Sequence, residues 1–112
     1  MLEELQTLAK ANIVAPNLPS QMWFDTLAES LRREARCGKM SYTRLVFSYE
    51  TQRGEPNIVN WWAKSENMVQ RDRYIAVNTH VDKIIHKWRE TSNVPVGIIF
   101  TQESVSLKFD WN

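Results

Sequence analysis

The chain has 112 residues, 43% of them hydrophobic, with only three Gly and four Pro; this suits one domain with a real core and disfavours a disordered tail. Its 14 basic and 13 acidic residues nearly cancel, and residues 1–56 alone carry seven of each sign, so global attraction to nucleic acid or an anionic membrane should be weak. The lone Cys37 excludes an intrachain disulfide, and the acidic start and lack of a long apolar run point to a cytoplasmic protein with no membrane segment.

In chain order, Leu2, Leu5, Leu8 and Ala9 recur at helical spacing, which predicts a short helix ending near Asn12. Pro16 and Pro19 break it, so residues 1–19 read as a loosely docked helix and linker. A second helix follows Ser20. Trp23, Phe24, Leu27, Ala28, Leu31 and Ala35 gather on one side, Arg32, Arg33, Arg36 and Lys39 crowd its C-terminal end, and Gly38 stops it.

The period then changes to two. Over residues 42–51, Thr43, Leu45, Phe47 and Tyr49 form an apolar face, and Arg44, Ser48 and Glu50 a polar one, with Val46 as an exception. Residues 52–56 read as a turn, 57–63 as a second strand and 68–77 as a third. Tyr74, Val77 and Val81 offer a competing reading of the last segment as the start of a long helix. Val81, Ile84, Ile85 and Trp88 mark a helix over 79–90, and Pro95 ends the pattern. The last residues form a hairpin: Val96, Ile98 and Phe100 alternate on one arm, and Val105, Leu107, Phe109 and Trp111 on the other. The expected fold is a single α+β domain over residues 1–112. Its element order is ααβββαββ, with about five largely antiparallel strands and helices packed mainly on one face.

Little in the sequence signals chemistry. His80 and His86 are six apart, about 240° round a helix, so they cannot share a metal ion, and no paired Cys or phosphate loop is present; neither a metal nor a cofactor is expected. Asp82 and His86 share a helical face, the minimal basis for a small hydrolase, but nothing activates Ser41 or Cys37 as a nucleophile. Nucleic-acid binding would use Arg71 and Arg73 on one side of the third strand, with Trp61, Trp62 and Tyr74 for stacking and Arg32 and Arg36 on phosphates. The leading expectation is a non-catalytic protein-binding domain of the kind that serves as a stoichiometric inhibitor or immunity-like neutraliser. Its candidate contact residues are Trp62, Arg71, Arg73, Tyr74, Arg32 and Arg36, since exposed Trp, Tyr and Arg anchor interfaces. A C-terminal strand ending Asp110-Trp111-Asn112 is the expected sheet edge, through which a homodimer would form.

Overall fold

The structure, a computed structural model, describes residues 1–5 and 15–112. Residues 2–5 are helical; the rest of the first expected helix lies outside the described residues. Then come α1 (Gln21–Arg36), β1 (Ser41–Ser48), α2 (Pro56–Lys64), α3 (Gln70–Thr91), β2 (Val96–Phe100) and β3 (Ser104–Asp110). The three strands form one antiparallel sheet in the order β1-β3-β2. The chain is α+β as expected, but with three strands rather than five among the described residues. None of the described helices is long and apolar enough to cross a membrane.

Both missing strands are helices, for reasons that lie in capping and spacing. Glu55 is the N-cap of α2, its carboxylate accepting the Ile58 amide at 3.0 Å, and Pro56 stands in the first turn, where its absent amide costs nothing. Ile58, Trp61 and Trp62 then follow at i, i+3 and i+4, so all three are buried on one stripe. On a strand, Trp61 and Trp62 would have pointed apart. In α3, Arg73, Val77, His80, Val81, Ile84, Ile85 and Trp88 make one buried stripe along 22 residues. The long-helix reading of Tyr74, Val77 and Val81 therefore prevails over the strand reading of 68–77.

The final hairpin follows its alternation. Val105, Leu107 and Phe109 are fully buried, and Val96 and Ile98 face the same way on β2. In β1 the phase departs from expectation. Tyr42 pairs with Phe109 and Arg44 with Leu107, so these two face the helices, while Thr43 and Leu45 are exposed on the far side. A bulge between Leu45 and Phe47 then resets the alternation, and Val46 and Phe47 are both fully buried. The bulged Val46 offers its carbonyl to the Glu55 amide at 2.7 Å, and Ser48 donates to the Arg53 carbonyl at 2.8 Å. Gly54 bridges Phe47 so closely that a Cβ there would overlap the Val46 carbonyl oxygen, and its φ of 150° suits glycine alone.

One core joins Phe24, Leu27 and Leu31 of α1, the α2 and α3 stripes, and the inner face of the sheet. Trp88 meets Phe109 edge-on at 5.2 Å between ring centres. The other side of the sheet carries Thr43, Leu45, Gly97, Ile99 and Lys108, all exposed.

Candidate functional site

The residues expected to form an aromatic and basic surface divide between interior and solvent. Trp62 is 4% exposed and Arg73 is 9% exposed. The Arg73 guanidinium lies 3.7 Å from the centre of the Trp62 ring, donates to the Trp62 carbonyl at 2.6 Å, and also bonds Ser65 Oγ (3.1 Å) and Gln70 Oε1 (3.2 Å). Ser65 Oγ in turn donates to the same carbonyl at 3.0 Å. Arg73 thus caps the negative C-terminal end of α2 and ties it to the first turns of α3. Around it, Tyr49 and Tyr74 approach to 4.4 Å between ring centres, and Tyr49 and Phe47 lie 5.3 and 5.2 Å from Trp62. Burial, and secondarily Tyr74, pushes the Tyr49 hydroxyl up to about 12.

Arg71 is exposed, about 200° round α3 from Arg73, so the two do not share a face. Arg32 and Arg36 are exposed on α1 and pair with Glu29 at 3.4 and 3.2 Å, holding its carboxyl below the usual range chiefly through the Arg36 and Arg32 hydrogen bonds. Lys39 pairs with Glu34 at 2.9 Å. Of the six candidate residues, Trp62, Arg73 and the half-buried Tyr74 come together, while Arg71 is exposed on another side of α3 and Arg32 and Arg36 are exposed on α1. Of the three aromatics expected to stack on bases, Trp61 and Trp62 are buried.

The histidines also part company. His86 is exposed and lies 3.8 Å from Glu90, with Asp82 exposed one turn before it. His80 is 1% exposed, and neither ring nitrogen has a hydrogen-bond partner among the described residues. Burial, and secondarily Lys83, lowers its pKa to about 4, so at neutral pH it is an uncharged imidazole. It borders a cleft of about 360 Å³ shared with Met68, Asp72, Ile75, Ala76 and Lys83. Among the described residues no carboxylate hydrogen-bonds the ring, as orienting a general base requires. Among the described residues no three His, Cys, Asp or Glu side chains gather to hold a metal, and Cys37 is an exposed free thiol.

A third region was not expected. β3, not an edge, is the central strand, and β2 lies at the margin of the sheet. Thr101 donates to the Ser104 carbonyl at 2.9 Å, and Asp110 to the Pro95 carbonyl at 3.2 Å. In an antiparallel ladder this phase turns the backbone groups of residues 95, 97, 99 and 101 toward β3. It turns those of Val96, Ile98 and Phe100 outward. No described strand pairs with them. Sheet edges are usually blunted by charges, proline or a bulge. β1 has its bulge and the returning segment 53–55, whereas β2 reads Val-Gly-Ile-Ile-Phe with Ile99 40% and Phe100 54% exposed. The signal was present in the sequence, because Gly97 and Ile99 leave both parities of this strand without a polar side chain. Comparison of the chain with protein-family models, with curated proteins and with solved structures gives no match.

Proposed function

We propose that this chain is a non-catalytic protein-binding domain that receives a strand of its partner along β2. The observation that carries this reading is the uncharged edge whose Val96, Ile98 and Phe100 amides and carbonyls point away from the sheet and meet no described strand. Such an edge supplies affinity through main-chain hydrogen bonds and specificity through alternate side chains, here Ile99 on one face and Phe100 on the other. Strand addition consumes the edge, so domain and partner combine one to one. That is the stoichiometry of an inhibitor or immunity-like neutraliser.

The reading is tested by affinity capture with the full chain and two surface variants. Ile99→Lys should fold normally yet lose the stoichiometric partner, whereas Arg71→Ala, remote from β2, should retain it. A folded Ile99→Lys that captures the same partner in the same amount would exclude β2 as the contact.

A further inference from the structure

Resting on the strand-addition reading, we infer that the strand seated on β2 when no other partner is present is β2 of a second copy, antiparallel about a two-fold axis through Ile98. The phase of the ladder selects this arrangement. A shift of one residue would set an outward-facing residue against an inward-facing one and exchange the two faces of the sheet. A shift of two leaves the Val96 or Phe100 groups of each copy unpaired. Only pairing centred on Ile98 places Val96 opposite the second copy's Phe100 and Ile98 opposite itself, so that every outward amide meets an outward carbonyl.

The side chains are self-complementary in that same register. Gly97 falls opposite the second copy's Ile99. No atom lies within 4 Å of where a Gly97 Cβ would stand, so the outer face is bare at this point, and Ile99 is the exposed apolar side chain beside it. Each copy thus offers one bare position and one apolar side chain to the other, as a closed two-fold contact demands. On the helix-covered side, Phe100, 54% exposed, comes against Val96. No charged residue occurs in the strand, so the pairing opposes no like charges, and the two sheets merge into one. Self-pairing and capture of another protein use one edge and exclude each other.

Sedimentation equilibrium of the full chain tests this. A reversible monomer–dimer equilibrium is expected, with the dissociation constant raised about 10-fold or more in Ile99→Lys, which replaces the apolar side chain opposite Gly97 with a charged one. A second measurement fixes the register. In a Cys37→Ser background, Gly97→Cys combined with Ile99→Cys should oxidise to a covalent dimer, while either substitution alone should not. A chain that stays monomeric at every concentration, a dimer indifferent to Ile99→Lys, or equal cross-linking by the single variants would each overturn the proposal. A monomeric chain whose capture of another protein is nevertheless lost in Ile99→Lys overturns the second copy as occupant and leaves strand addition standing. If Ile99→Lys affects neither, both readings fall.

Discussion

Two regions of this molecule invert the usual link between residue type and exposure. The Trp62–Arg73 cluster is made of the residues that anchor interfaces, yet it is interior, held by a cation stacked on an aromatic ring and by three hydrogen bonds from one guanidinium. The β2 edge is made of residues that fill cores, yet Ile99 and Phe100 stand in solvent. Side-chain chemistry states what a residue does once placed. Placement comes from the element's period and from its neighbours, and the buried Arg73 is tolerable because its polar groups are satisfied there.

Trp62→Ala distinguishes a buried ring from an exposed anchor. An interface anchor would leave stability untouched; a core residue of this size should cost about 3–5 kcal/mol in urea unfolding. A loss under about 1 kcal/mol would return Trp62 to the surface.

Next in size is His80, a buried polar group whose ring nitrogens, unlike the Arg73 guanidinium, have no hydrogen-bond partner among the described residues. Its folded pKa of about 4 lies below the ordinary 6.5 of the unfolded chain. The unfolded state therefore takes up the proton first as the pH falls. Stability is complete above about pH 6.5 and declines toward pH 4, by about 3 kcal/mol for a shift of this size. His80→Leu should flatten that part of the pH profile of thermal unfolding; an unchanged slope would place the ring in contact with water.

Arg73→Met keeps much of the stem but removes the guanidinium, leaving the Trp62 carbonyl at the end of α2 to Ser65. A cost of about 2 kcal/mol is expected, with the tryptophan fluorescence shifted as Trp62 loses its cation partner. The smallest effect belongs to the other region: at concentrations low enough that the chain is monomeric, Ile99→Lys should change thermal stability by less than about 0.5 kcal/mol, as an exposed substitution does. A large loss there would show that the edge is covered within the monomer.

How far the residues spoke for themselves depended on how many periods each segment could satisfy. In α1, Phe24, Leu27 and Leu31 fit only a helix and are its buried face. In β3, Val105, Leu107 and Phe109 fit only a strand, and all three are inside. Residues 57–63 and 68–77 fit both, because in segments this short the few apolar residues recur at spacings of two as well as of three to four. The decisive marks were small ones, Glu55 and Pro56 at the start of α2 and the i, i+3, i+4 set of Ile58, Trp61 and Trp62. In β1, Val46 already disturbed the alternation; that disturbance is the bulge, which inverts the faces of the strand's first half. Of the candidate site, the residue identities were legible but not their grouping, since Arg71 and Arg73 share a face on a strand and oppose each other on a helix.

The amino-acid order by itself determined the α+β character, the amphipathic α1 and the terminal hairpin with its apolar faces, because in those segments one repeat alone buries the apolar side chains. The tertiary structure alone decided that β3 runs between β1 and β2, that Arg73 folds back onto the end of α2, and that β2 is left at the margin. Those outcomes depend on which distant segments meet. Backbone hydrogen-bonding capacity is the same in every strand, so only the assembled sheet shows where it is left unused.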